Sequence, residues 1–301
     1  MLTTFARHGE HTTALDIGTR RLLSRLAGFR RLAGGPVGAA AIVVFVLLVV
    51  VALAAPLLAP HSPNAVDAGN IFAPPSPEHL LGTDDVGRDL LSRIIYGARP
   101  SLAGPLLVTL FSALLGTALG VFAAWRRGRV DAVLSRGFDV MLAFPGVVLA
   151  VLAAALFGAG FLAPVVALSI AYVPTVARIM RTAALKERSL PYIEALQLQG
   201  LSGIAICARH LLPNLAPLLL VQAAIGFGYA MVDLAAVSFL GLGTQPPAAE
   251  WGVLVANGKA AILDGHPQQS LYAAAVIVVA VVAVNLVGER LALYFEIGDH
   301  A

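Results

Sequence analysis

Residues 140–177, "VMLAFPGVVLAVLAAALFGAGFLAPVVALSIAYVPTVA", contain no Asp, Glu, Lys, Arg or His. As one α-helix this run would extend ~57 Å at 1.5 Å per residue, against ~30 Å of bilayer hydrocarbon. It is too long for one span, and "FGAG" at 157–160 supplies a turn that divides it into span 3 (139–157) and span 4 (161–180). Outward from there, comparable runs give span 1 at 36–58, span 2 at 101–125, span 5 at about 214–240 and span 6 at about 271–288. Hydrophobic residues make up 58% of the 301-residue chain and charged residues 12%, where a soluble domain carries about 25% charge. The expected fold class is therefore an all-α polytopic membrane protein with six transmembrane helices.

Lysine and arginine asymmetry orients the spans. With the N-terminus inside, 16 of the 20 basic residues fall on the inner side: the tail arginines up to Arg31, Arg126–Arg136 after span 2, Arg178–Arg209 between spans 4 and 5, and Arg290. Arg88, Arg93, Arg99 and Lys259 fall outside. Both termini are expected to be cytoplasmic. The first apolar run begins only near Pro36, behind six arginines, so no cleavable signal peptide is expected.

The resulting organisation is a cytoplasmic tail (1–35), the first span (36–58), an extracytoplasmic linker (59–100), a core of five spans (101–290) containing a cytoplasmic loop (181–213), and a second tail (291–301). The linker is rich in proline up to Pro77. Val86, Leu90, Leu91, Ile94 and Ile95 then share one helical face, which predicts an amphipathic helix over 81–102 lying on the outer membrane surface. Asp84 and Asp89 each precede an arginine by four residues, at Arg88 and Arg93, a favourable pairing on a helix. In span 2, Ser112, Gly116 and Gly120 repeat every four residues, the pattern of a close-packing face.

Motifs of energised or catalytic chemistry are missing. "VLVANGKAA" lacks the first glycine and the Ser/Thr of a phosphate loop, and "GFGYAM" fails the dinucleotide pattern and lies inside a span. His8 and His11 offer only two ligands, where a closed metal site needs three or four. Cys207 is the single cysteine, so no internal disulfide forms. No catalytic residue, metal site or cofactor is expected in this chain, and no nucleic acid partner. The clear charge inside a span is Asp233, which either lines a water cavity or subunit space or makes a structural contact. A secondary transporter would need several such groups and visible repeats, and a membrane enzyme would need a catalytic constellation.

One segment is too polar to cross a bilayer and too apolar for a solvated loop: "EALQLQGLSGIAICARHLLPN", 194–214. Ser189 and Pro191 open a helix, Glu194 complements its dipole, and Gly200 closes it in a left-handed cap. Ser202 caps a second helix, expected to end before Pro213. The apolar faces of Ile193, Leu196, Ile204 and Cys207 require burial in a partner groove, within the protein, or on the membrane surface.

This segment resembles the EAA loop of ABC importer permeases, with Glu194, Ala195, Gly200, Leu212 and Pro213 matching and Leu196 replacing the second alanine. "LGTDDVGRDLLSRIIYGARPSL", "HLLPNLAPLLLVQA" and "VSFLGLGTQPPAAEWG" resemble the second (C-type) permease subunit of dipeptide, oligopeptide and nickel importers, over about 36–290. Asp233 stands where that family often has Glu, and "LVGERLALYFEIG" departs from its usual ending. The resemblance implies a type I ABC importer permease in a bacterial inner or plasma membrane, paired with a homologous permease. Two cytoplasmic ATPase subunits would bind ATP and Mg and dock on the loop, and an extracytoplasmic binding protein would deliver dipeptides or oligopeptides. Nickel or another small solute is the alternative cargo.

Overall fold

The computed structural model describes residues 35–298 and, among these, is built from helices and irregular segments. The tail histidines and arginines up to Arg31 lie outside the described residues. Helix α1 (Pro36–Leu53) and the short α2 (Ala55–Leu58) make the first span, and α3 (Leu90–Arg126) carries the second. Helices α4 (Gly128–Leu142) and α5 (Gly146–Phe157) follow, then α6 (Leu162–Arg188) and α7 (Pro191–Leu198). A turn of α8 (Gly203–Ile206) leads through a π-helical turn (Cys207–Leu211) into α9 (Leu212–Phe239). The short α10 (Trp251–Asn257) and α11 (Lys259–Leu263) precede α12 (Gln268–Gly298). Among the described residues, five helices are long and apolar enough to span a membrane, and six spans result if α4 and α5 count as one bent span.

The segment over 81–102 differs from its expected form. There is no separate surface helix: residues 81–89 are irregular, and α3 begins at Leu90 and runs without interruption into the span. Polar anchoring outcompetes the amphipathic pattern. Asp89 is the N-cap, accepting from the Ser92 amide at 2.8 Å, rather than the partner of Arg93. Asp84 accepts from the Arg88 side chain at 2.8 Å, as expected, and lies 3.6 Å from the fully buried Arg93. Arg93 also donates to the Pro63 carbonyl at 3.0 Å, so the start of α3 is buried under the linker rather than laid on lipid.

Span 3 is a second departure. Instead of one helix over 139–157, α4 and α5 meet at a 77° bend. Pro145 has no amide to donate and disfavours helical backbone at Phe144, so the chain leaves α4 there and Pro145 becomes the N-cap of α5 at ψ 130°. The turn expected at 157–160 is present.

Helix α3 is the central element. Its Gly116 and Gly120 face α6, with Ser112 buried one turn earlier, and a methyl group at Gly120 would sit 2.4 Å from the Ala177 carbonyl. This backbone approach is what small residues at four-residue spacing permit. One core cluster joins α1, α3, α9, α10 and α12 around Phe227, Met231 and Trp251. A second joins α3, α5, α6 and α9 around Val108 and Leu168, and a third joins α3, α6 and α9 around Met180 and Leu211.

Candidate functional site: the 189–214 loop and the Asp233 groove

Most local signals in 191–202 fold as the sequence predicts, but Ser189 does not cap α7: Leu190 is its N-cap, and the Ser189 hydroxyl donates back to the Lys186 carbonyl at 2.6 Å, closing α6 instead. Pro191 occupies the first turn of α7 and Glu194 lies in that turn, exposed. Gly200 adopts φ +81°. Its amide donates to the Gln197 carbonyl at 3.0 Å and the Leu201 amide donates to the Leu196 carbonyl at 3.2 Å, the paired bonds of a Schellman cap. Ser202 Oγ then accepts from the Ala205 amide at 3.3 Å and starts α8.

The second short helix is corrected. It does not end before Pro213 but continues through the π turn into α9 as one helix from Gly203 to Phe239. Proline without its amide normally breaks the ladder and crowds the carbonyl four residues back. The wider π turn, with the Leu212 amide reaching the Cys207 carbonyl, absorbs that conflict. The loop is thereby continuous with a long apolar helix.

Apolar side chains divide into two sets. Ile193 and Ile206 are fully buried beneath the loop, whereas Leu198 is 89% exposed and Ile204 84% exposed. Ala195 and Leu212 are exposed, and Leu196 is half-buried. Internal packing thus accounts for only one face. Burying a leucine or isoleucine is worth about 1.5–3 kcal/mol, so the other face is a cost unless something covers it.

The loop is held from behind by residues the sequence reading did not single out. Arg188, the last residue of α6, donates from Nη1 to the carbonyls of Ala124 (2.9 Å) and Trp125 at the end of α3. Its guanidinium lies 4.8 Å from the centroid of the Trp125 ring, and Gly203 packs against that same indole. These bonds satisfy carbonyls that a helix C-terminus leaves open. Tyr192 Oη donates to Glu187 at 2.6 Å, and Asn214 Nδ2 donates to Glu187 at 2.8 Å and to Tyr192 Oη at 3.1 Å. Burial and the Glu187 carboxylate push the Tyr192 phenol up to about 12, so it remains a donor at neutral pH. The loop therefore grips α3, α6 and α9 at once.

Asp233 lies on α9, where Tyr172 of α6 donates to its Oδ2 at 2.9 Å. Both border an open groove of about 430 Å³, whose other lining residues include Pro145 at the α4–α5 bend, Gln222 and Tyr229. The bend thus shapes the wall opposite the acid. The alternatives for Asp233 merge here: it makes a side-chain contact and also faces a cavity. Tyr172 is one of three hydroxyls in that apolar run, with Ser169 and Thr175, and nothing in the sequence singles it out as the partner. Leu212 and Pro213 open α9 and Asp233 lies toward its other end, while Glu194, Ala195 and Gly200 lie on or beside α7, so these residues do not form one site.

The profile of the binding-protein-dependent transport system inner membrane component matches residues 116–297, which include both the loop and the groove. The profile of the N-terminal transmembrane domain of oligopeptide transport permease C matches residues 24–75. Among similar proteins, the di/tripeptide transport system permease protein DppC of Pseudomonas aeruginosa is 38% identical, over 84% of this chain and 86% of its own. The dipeptide transport system permease protein DppC of Alkalihalophilus pseudofirmus is 34% identical, over 87% and 86%. The glutathione transport system permease protein GsiD of Pectobacterium atrosepticum is 35% identical, over 87% of each. A chain of the inward-facing MetNI methionine ABC transporter shares the fold, with a TM-score of 0.56 and 19% identity over 67% of this chain and 96% of that one. The helix order, the fold match and the sequence relatives converge: this chain belongs to the inner-membrane permeases of binding-protein-dependent ABC transport systems, as a multi-pass subunit of the permease C type.

Proposed function

We propose that this chain is one half of the path through which an ATP-driven importer moves dipeptides or short oligopeptides, delivered by an extracytoplasmic binding protein. A homologous permease supplies the other half, and the open Asp233 groove faces the space between the two. Two cytoplasmic ATPase subunits bind ATP and Mg and carry out the hydrolysis. The 181–213 loop docks in a cleft on one of them through Leu198 and Ile204, with Glu194, Ala195 and Gly200 shaping that surface and Leu212 and Pro213 joining it to α9. Both termini and the loop lie in the cytoplasm.

The observation that carries this reading is the division of the loop: an exposed apolar pair on one face, and a polar grip on three long helices on the other. A flexible tether would serve attachment alone. An anchored loop passes a displacement on, provided the nucleotide favours one state of the ATPases over the other.

The test is uptake of labelled di-, tri- and tetrapeptides, and of nickel, by cells lacking the gene and complemented with variants. Leu198→Ser together with Ile204→Ser is expected to retain membrane abundance, release the ATPase subunits on purification and abolish uptake. Asp233→Asn is expected to insert normally, since an acid at mid-span opposes insertion by ~2.5–3.5 kcal/mol, yet to alter peptide uptake. Retained ATPase binding and uptake in the double variant would remove the docking role. Uptake of nickel with none of the peptides would change the cargo and leave the docking role standing.

A further inference from the structure

At the end of the bundle away from the loop, three side chains from separate segments converge. His61 follows α2, His79 lies in the linker, and Asp89 caps α3. One ligand atom from each lies within 4.8 Å of the other two, the sole such His/Cys/Asp/Glu trio among the described residues. His79 Nδ1 is 3.0 Å from Asp89 Oδ1, and His61 Nδ1 is 4.0 Å from Asp89 Oδ2. The geometry points to a binding site for a first-row divalent cation of the zinc class, held by His61 Nδ1, His79 Nδ1 and the Asp89 carboxylate, with water as the fourth ligand.

Four observations support it. Two imidazole nitrogens and a carboxylate oxygen form a donor set that zinc accepts, with three protein ligands and one open position. Zinc–ligand bonds of about 2.0–2.1 Å in a tetrahedral site place ligand atoms ~3.4 Å apart; His79 Nδ1 and Asp89 Oδ1 already lie 3.0 Å apart, and the three ligand atoms within 4.8 Å of one another need only a small closure. His61 Nδ1 is shielded from solvent and has no hydrogen-bond partner, although its ring is turned toward the carboxylate. A purely structural N-cap explains Asp89 and its bond to His79, but leaves that nitrogen unexplained. Finally, the surroundings leave the carboxylate to the histidines: neighbouring Arg88 and Arg93 lie against Asp84 instead. The supporting shell is present too, because the Ser92 amide holds Asp89 Oδ2 at 2.8 Å while Ser92 Oγ accepts from the His61 amide at 3.0 Å.

A cation here would fasten the linker to the first turn of α3. The experiment uses the full chain within its transporter complex, purified without a polyhistidine tag and carrying His8→Ala and His11→Ala so that the tail pair contributes nothing. After chelator treatment, zinc is titrated in competition with a chromophoric chelator. One zinc per copy of this chain is expected, with affinity falling at least tenfold in His61→Ala and in His79→Ala while gel-filtration elution is unchanged. X-ray absorption on the zinc-loaded parent is expected to show two imidazole ligands, a readout that holds even if a variant fails to fold. Absence of stoichiometric zinc in the parent, zinc without imidazole ligation, or parent-like affinity in His61→Ala would each overturn the site.

Discussion

Gly200 depends on a single dihedral angle. At φ +81° an L side chain meets its own backbone at a cost of about 1–2 kcal/mol, while the space around the glycine is open, so the constraint is conformational and not steric crowding by neighbours. Gly200→Val is therefore expected to displace α7 relative to α8 while leaving the spans intact. Membrane abundance should match the parent, and uptake should fall with either loss of the ATPase subunits or hydrolysis without transport. Gly200→Asn, which tolerates the left-handed region, should restore much of the uptake. Parent-like uptake in the valine variant would show that the relative angle of the two helices is irrelevant to coupling. Such residues were legible because their signals are local: Pro191, Glu194, Gly200 and Ser202 act within one or two turns. Tyr172 and Arg188 were not legible, because each acts on a partner about sixty residues away, with no spacing to mark it. The same holds for His61, His79 and Asp89, which meet only after the linker has folded back on α3.

At the scale of elements, three prolines in similar apolar settings have three outcomes. At Pro145 the ladder breaks: α4 stops, Pro145 takes extended backbone as the N-cap of α5, and α5 departs at 77°. Pro213 ends nothing, because a π turn precedes it and Leu211 and Leu215 are packed in the same core. Pro105 lies within α3, where burial on several sides holds the helix together. Sequence marks where a ladder weakens, and tertiary packing decides whether it breaks, so the long apolar runs and the glycine-marked turn at 157–160 were readable and the outcomes at the prolines were not. Joining α8 to α9 also gives a mechanical prediction. Arg188 links the end of α6 to the end of α3 beside the loop, without touching Leu198 or Ile204. Arg188→Gln should therefore leave the docking face in place while loosening its connection to the bundle. Co-purification of the ATPase subunits should persist, ATP hydrolysis should continue, and uptake per ATP should drop severalfold. Loss of ATPase binding in this variant would mean that the grip serves to form the docking face rather than to transmit its movement.

At the scale of the molecule, polar construction gathers at two ends of an apolar bundle. One end holds Trp125, Arg188, Tyr192, Gly203 and Asn214. The other holds the linker, the start of α3 and residues 245–251, fastened by Arg93 to Pro63, by Trp251 Nε1 to Ile94 at 2.9 Å, and by Ser101 to Glu250 at 3.1 Å. The basic residues separate accordingly: Arg126, Arg127, Lys186 and Arg188 lie near the loop end, and Arg88, Arg93 and Arg99 near the other. Basic residues are retained on the cytoplasmic side of membrane proteins, which supports the proposed placement of the loop end in the cytoplasm. Cysteine scanning decides this. With Cys207→Ser as background, cysteines at the exposed positions Ala65 and Asp264 should react with an impermeant thiol reagent added to intact spheroplasts. Cysteines at Ala132 and Ser189, which are also exposed, should react only after the membrane is opened. Since all four positions are exposed, a difference in labelling reports the side of the membrane. Labelling of Ser189→Cys from outside would place the loop beyond the reach of any cytoplasmic ATPase and end the docking reading. It would do so even if every helix boundary described above stood unchanged.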